Sequence, residues 1–109
     1  MVEATIYLDN DRYPRAKIDP PFELLESFLV ADMQTIESCD LILEGIQMIE
    51  SGALLNWDST GNLYTAILSP LIARIENAYD DIHACDVPLN DFKELLLQWR
   101  EFTMKTRRS

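Results

Sequence analysis

Apolar residues recur at every third or fourth position over residues 22–51, which is the spacing of the buried face of an amphipathic α-helix. A different face of the same helix carries the carboxylates Glu37, Asp40 and Glu44. Like charges at this spacing destabilise a helix by about 0.2–0.5 kcal/mol per pair, so a helix selected only for stability would place lysines here. We predict one long helix with an anionic stripe. A break near Asp32 stays open, because Asp32 could cap a second helix.

The chain has no lysine, arginine or histidine between Lys17 and Arg74, although this segment is rich in carboxylates. They are Asp19, Glu23, Glu26, Asp32, Glu37, Asp40, Glu44, Glu50 and Asp58. Charges of one sign destabilise a compact fold because they repel one another. Physiological salt largely screens this repulsion only between charges more than about 8–10 Å apart. We interpret the acidic field as a surface that attracts and covers a basic partner.

The composition limits the class of protein. A chain of 109 residues, 48% of them hydrophobic, predicts a single domain over residues 1–109. Its net charge of −10 disfavours nucleic acid and anionic membranes as partners, since both are bound by clustered cations. We expect a cytoplasmic protein, because no signal-peptide pattern and no membrane-spanning run is present. Cys39 and Cys85 are therefore expected to be reduced and buried.

The remaining elements complete an α+β fold. The predictions are a strand at residues 4–8, two strands within 54–68 around a turn at 59–62, a strand at 71–79, a polar loop at 80–86 and a helix at 88–106. Periodicity alone does not separate strand from helix over 71–79. The predicted order is β-α-β-β-β-α, a small antiparallel meander covered on one face by two amphipathic helices. Its other face or its edges are left open to a partner.

The candidate site is a partner-binding surface without catalysis. Its residues are Glu37, Asp40 and Glu44, followed by Asp58, Asp80 and Asp81. The alternative for each is a solvated acidic exterior. Trp57, beside a turn, could be buried or could serve as an exposed interface anchor.

Metal binding and catalysis are weaker interpretations of the same chain. His83 and Cys85 could ligate a metal with Asp80 or Asp86, but short ligand spacings such as Cys-x-x-Cys are missing. The single histidine could activate Cys85 or Cys39, but no oxyanion or orienting motif accompanies them. We predict no metal, no cofactor and no enzymatic activity.

Several short motifs occur in a recognisable order. In the first half they are Leu25-Glu26-Ser27-Phe28-Leu29, Asp32-Met33-Gln34, Cys39-Asp40 and Ser51-Gly52. In the second half they are Trp57, Gly61-Asn62-x-Tyr64, Ile75-Glu76-Asn77 and Asp91-Phe92-x-x-x-Leu96-x-x-Trp99-x-x-Phe102. Over residues 25–104 the pattern resembles small bacterial immunity proteins that are encoded beside contact-dependent growth-inhibition or related polymorphic toxins. The resemblance implies a stoichiometric inhibitor of a toxin domain, often a basic nuclease, in the cytoplasm.

The charge pattern independently favours the same function. A nuclease site holds phosphate and is cationic, so a carboxylate-rich surface can occupy it as a phosphate mimic. We predict an immunity protein that binds a cognate basic toxin 1:1 and occludes its active site, with no nucleic-acid, membrane or small-molecule partner. The alternative is an acidic adaptor or regulatory subunit that docks on a basic housekeeping protein as a nucleic-acid mimic. Homodimerisation through an open sheet edge stays undecided.

Overall fold

The fold is of the α+β class, as the sequence predicts. It is known from a computed structural model that describes residues 2–108, except for the side chains of Asp81, Arg107 and Arg108. The elements in chain order are β1 (Ala4–Leu8), β2 (Pro14–Ile18), α1 (Leu24–Asp32), α2 (Ile36–Glu50), β3 (Trp57–Thr60), β4 (Tyr64–Leu68), β5 (Ile72–Asn77), β6 (Asp80–Pro88) and α3 (Leu89–Arg108). Strands β1 and β2 form a hairpin, and β3 to β6 form a separate antiparallel sheet in sequence order.

The single long helix predicted from the apolar spacing is in fact two helices, α1 and α2. Thr35 is extended, and its hydroxyl accepts a hydrogen bond from the backbone N–H of Ser38 at 3.1 Å, which caps α2. The break leaves the Met33 carbonyl outside both helices, where it accepts a 2.7 Å hydrogen bond from the indole N–H of Trp99 on α3. The break lies where the sequence left one open, but Thr35 and not Asp32 is the cap.

The structure contains two strands, β2 and β6, that the predicted order lacks. Strand β2 pairs antiparallel with β1 and buries Ala16 and Ile18. Residues 80–86, predicted as a polar loop, belong to edge strand β6, whose Cys85 and Val87 are buried. An antiparallel strand with one face in water accommodates this many polar residues. The observed order is therefore β-β-α-α-β-β-β-β-α.

The four-stranded sheet has one face in the core. The strand predicted over residues 71–79 is confirmed as β5, with slightly narrower bounds. Alternate residues of β4, from Tyr64 to Leu68, are buried, and those between them are half-buried on the opposite face. Helices α1, α2 and α3 pack on the buried face and contribute the largest core side chains, including Phe28 and Trp99. The outer face of the sheet is left uncovered by these helices, as the meander prediction requires.

Asp32 joins α1 to the β3–β4 turn. Asp32 is only 7% exposed, and its carboxylate accepts hydrogen bonds from the backbone N–H groups of Leu63 at 3.0 Å and Tyr64 at 2.9 Å. A Cβ atom at Gly61 would lie 2.8 Å from an oxygen of this carboxylate. The Asn62 amide donates to the Ala31 carbonyl at 3.0 Å. The Gly-Asn-x-Tyr motif thus fixes the turn, and we call these contacts the Asp32 clamp.

Candidate partner-binding surface

The exposed face of α2 alternates carboxylates with large apolar side chains. Glu37 and Glu44 are exposed, and helical spacing places Leu41 between them and Met48 one turn after Glu44. Leu41 is 49% exposed and Met48 is 44% exposed, although both are large hydrophobic residues. Among the residues whose side chains the structure describes, no cation pairs with Glu37 or Glu44. Glu37 lies in the first turn, where the helix dipole favours an anion, but Glu44 lies beyond that effect.

Asp40, the third carboxylate of the predicted stripe, already has a counter-charge. The Arg100 guanidinium of α3 donates to it from Nε at 2.6 Å and from Nη2 at 3.2 Å. This hydrogen-bonded pairing holds the pKa of Asp40 below its ordinary value. Glu50 of α2 is likewise paired with Lys93 of α3, at 3.0 Å. The expectation that the whole α2 stripe lacks counter-charges is therefore wrong for Asp40, because α3 folds beside α2.

Asp58 belongs to β3, the edge strand of the sheet that contacts α2. It is exposed on β3, opposite Ile67 of β4, with its side chain on the outer face of the sheet. The preceding Trp57 faces the other way and is half-buried: its ring atoms lie 2.5–2.8 Å from the position a Cβ of Gly45 would take. This contact leaves no room for a side chain at Gly45 and seats β3 on α2. Trp57 is a packing residue and not the exposed anchor that the sequence left open.

These residues make up what we call the α2–β3 surface. It consists of Glu37, Leu41, Glu44 and Met48 on α2 together with the adjoining end of β3, whereas Asp58 faces the other side of the sheet. Leu41 borders a shallow cavity of about 90 Å³ together with Ser59 and Thr60, so the outer face of α2 and strand β3 are neighbours. Two exposed apolar side chains bounded by unpaired carboxylates have the anatomy of a protein interface, with an apolar centre and a charged rim. Leu41 and Met48 were missed from the sequence, although their spacing of seven residues places them on the face that carries Glu44.

Asp80 lies at the opposite edge of the sheet, on β6. Its carboxylate accepts a hydrogen bond from the Ile82 N–H at 2.9 Å and lies 2.6 Å from Nδ1 of His83. The backbone hydrogen bond, followed by the His83 contact, lowers the pKa of Asp80. Tyr79 and Ile82 beside it are 82% and 84% exposed. Asp80 is therefore separated from the α2–β3 surface, and the side chain of the predicted site residue Asp81 lies outside the described part of the structure.

His83, Cys39 and Cys85 are the residues that the sequence offers as metal ligands or as a nucleophile and its base. No three histidine, cysteine, aspartate or glutamate side chains among them converge on a common point. His83 contacts Asp80 and not a cysteine, and neither Cys39 nor Cys85 forms a disulfide. Burial, with smaller contributions from nearby carboxylates, raises the pKa of the Cys85 thiol, which disfavours the nucleophilic thiolate.

Comparisons of the chain with protein-family models, curated proteins and solved structures found no match. The resemblance to immunity proteins therefore stays a prediction that depends on the motifs of this chain. Within residues 2–108, no helix is both long enough and apolar enough to cross a bilayer.

Proposed function

We propose that this protein is a cytoplasmic immunity protein that binds a basic toxin domain 1:1 through the α2–β3 surface and covers its active site. The observation that carries the proposal is the pair of exposed carboxylates Glu37 and Glu44, without counter-charges among the described side chains, on the helix face that carries Leu41 and Met48. The resemblance of residues 25–104 to immunity proteins supports the same function.

The two kinds of side chain would contribute differently to binding. Burial of Leu41 and Met48 would stabilise the complex by removing apolar surface from water and would mainly slow dissociation. The carboxylates would raise the association rate above the value of about 10⁵–10⁶ M⁻¹s⁻¹ that is typical without electrostatic steering. Rapid capture matters for an inhibitor of a catalytic toxin, because each free toxin molecule turns over until it is bound.

Inhibition would require no chemistry from the immunity protein. A nuclease active site binds phosphate through cations, and exposed carboxylates can occupy such a site as anions that are not cleaved. Asp40 would act indirectly, because its ion pair with Arg100 holds the α2 and α3 helices side by side. Its assignment as a contact residue is thus less favoured than that of Glu37 and Glu44.

The test combines a partner search with matched charge reversals. The toxin domain encoded by the adjacent gene is expected to co-purify 1:1 with the protein. The double variant Glu37→Lys/Glu44→Lys should lower the association rate at low salt at least tenfold. The control Glu3→Lys/Glu94→Lys changes the net charge equally at exposed positions outside the surface and should lower it less than threefold.

Two results would contradict the proposal. Equal losses of association rate in both double variants would mean that only net charge matters, and the α2–β3 surface would be wrong. A chromosome with no adjacent toxin gene, together with 1:1 capture of a basic housekeeping protein, would favour the adaptor alternative.

A further inference from the structure

A groove of about 540 Å³ lies on a different part of the molecule from the α2–β3 surface. One wall is the β1–β2 turn with Arg12, Tyr13 and Arg15; the other walls come from the end of α1 and from the C-terminal half of α3. Its volume lies within the range of about 300–1,000 Å³ that is common for small-molecule sites. Cations line this groove although the protein as a whole is acidic.

Arg12 occupies a backbone conformation that disfavours an arginine. Its φ is +68°, in the left-handed region, after a turn closed by the hydrogen bond from its own N–H to the Asp9 carbonyl at 2.9 Å. Glycine or asparagine is the usual residue at such a hairpin position, because a Cβ atom is strained there. Strained residues of this kind concentrate at functional sites. No described side chain forms an ion pair with the Arg12 guanidinium, which lines the groove.

Arg15 is held in place beside Arg12. Its Nε donates to the Asp9 carboxylate at 2.9 Å, and the same carboxylate accepts hydrogen bonds from the backbone N–H groups of Asp11 and Tyr13. These contacts, the Tyr13 bond first, lower the pKa of Asp9 and keep it ionised. Asp9 thus orients Arg15 through Nε, and the terminal guanidinium nitrogens of Arg15 are left to bind a ligand. Arg12 supplies the uncompensated positive charge.

The groove is lined by both apolar and polar side chains. Tyr13 is 64% exposed and Val30 is half-buried, whereas Trp99 is only 2% exposed and its indole N–H is already used by the Met33 carbonyl. The Thr103 hydroxyl, also in the lining, donates to the Trp99 carbonyl at 2.8 Å. A ligand would therefore meet the flat ring of Tyr13 and the side chain of Val30 close to the two arginines.

We propose that this groove binds a small organic anion, with its phosphate or carboxylate group on Arg12 and Arg15 and a flat ring against Tyr13 and Val30. Guanidinium groups bind both kinds of anion with paired hydrogen bonds. This site is independent of the proposed toxin-binding surface and goes beyond it.

The test is calorimetric titration of the full-length protein with four probes: adenosine monophosphate, 1-naphthoate, inorganic phosphate and adenosine. At least one of the two ring-bearing anions should bind saturably at 1:1, and at least tenfold more tightly than inorganic phosphate or adenosine. Preference between the two anions distinguishes a phosphate ligand from a carboxylate ligand.

The Arg12→Gly variant separates binding from folding. It relieves the left-handed backbone, so its thermal midpoint should be equal to or above that of the wild type, while its affinity for the bound anion should fall at least tenfold. Arg12→Asn, which also tolerates this conformation, should behave in the same way. Lys17→Ala removes an equal charge from an exposed position on β2 and should change affinity less than twofold. Absence of saturable binding by all four probes, or equal losses in Arg12→Gly and Lys17→Ala, would overturn the proposal.

Discussion

The Asp32 clamp makes a quantitative prediction about Gly61. The glycine is not needed for its backbone conformation, since its φ lies outside the left-handed region. It is needed because a Cβ atom there would lie 2.8 Å from a carboxylate oxygen and 2.9 Å from Cγ of Asp32. Contacts under 3.0 Å force a displacement, and the carboxylate is held by the N–H groups of Leu63 and Tyr64.

The cost of Gly61→Ala can be estimated from the bonds that Asp32 would lose. Moving the carboxylate away weakens about one charge-assisted hydrogen bond, which contributes about 1.5–3 kcal/mol. The lower entropy of the unfolded alanine chain offsets about 0.4–1 kcal/mol of this loss. We therefore expect Gly61→Ala to lower the free energy of unfolding by about 0.5–2.6 kcal/mol. Asp32→Ala leaves two backbone donors without an acceptor and should cost about 2–5 kcal/mol.

The double variant decides whether the clamp is the cause. With Asp32→Ala the obstructing carboxylate is gone, so adding Gly61→Ala should be neutral or slightly stabilising. Urea unfolding followed by tryptophan fluorescence should give a coupling free energy of about 1–3 kcal/mol, whereas independent sites add within about 0.5 kcal/mol. Asp58→Ala is the control, because it removes an exposed aspartate outside the Asp32 clamp. Its effect on the free energy of unfolding should show no coupling to that of Gly61→Ala. Additive losses for Asp32→Ala and Gly61→Ala would refute the reasoning.

Two further predictions concern titratable groups. Because the folded pKa of Asp40 is lowered by Arg100, this pair stabilises the fold above the ordinary aspartate pKa of about 4, and the effect is lost as the pH falls through the lowered value. The difference in free energy of unfolding between the wild type and Arg100→Ala should therefore narrow in acid, and a gap that does not change with pH would contradict this. Cys85 is buried with a raised thiol pKa, so iodoacetamide at pH 7.5 should label it at least 100-fold more slowly in native protein than in urea, as followed by mass spectrometry. Equal labelling rates would show that the thiol is accessible.

The sequence predicts the fold class well but not every element boundary. The break between the first two helices is hidden, because Met33 and Ile36 continue the apolar spacing across it. Strand β6 is hidden because polar residues outnumber apolar ones over residues 80–86, four to three, and only the alternation of Cys85 and Val87 with Asp86 indicates a strand. The structure of these segments depends on the residues that they contact in the folded chain, and the local sequence pattern does not show which residues those are.

The candidate surface was predicted only in part for a similar reason. The acidic stripe was identified by counting cations along the chain, but Arg100 reaches Asp40 across 60 positions of sequence. Glu37 and Glu44 lack a nearby cation in the sequence, and they also lack one in the folded protein among the described side chains. The groove beside Arg12 has no sequence signature, because its walls come from the β1–β2 turn, α1 and α3.

The hydrogen bond between Trp99 and the Met33 carbonyl has a consequence for biosynthesis. Its two partners are 66 positions apart, so the junction of α1 and α2 meets its donor only after the ribosome has translated 66 further residues. Until then the sheet also lacks α3, which supplies Phe92, Leu96 and Trp99 to the core. Nascent chains arrested before Leu89 should accordingly be cleaved rapidly by added protease, and resistance should arise only once α3 has emerged from the exit tunnel.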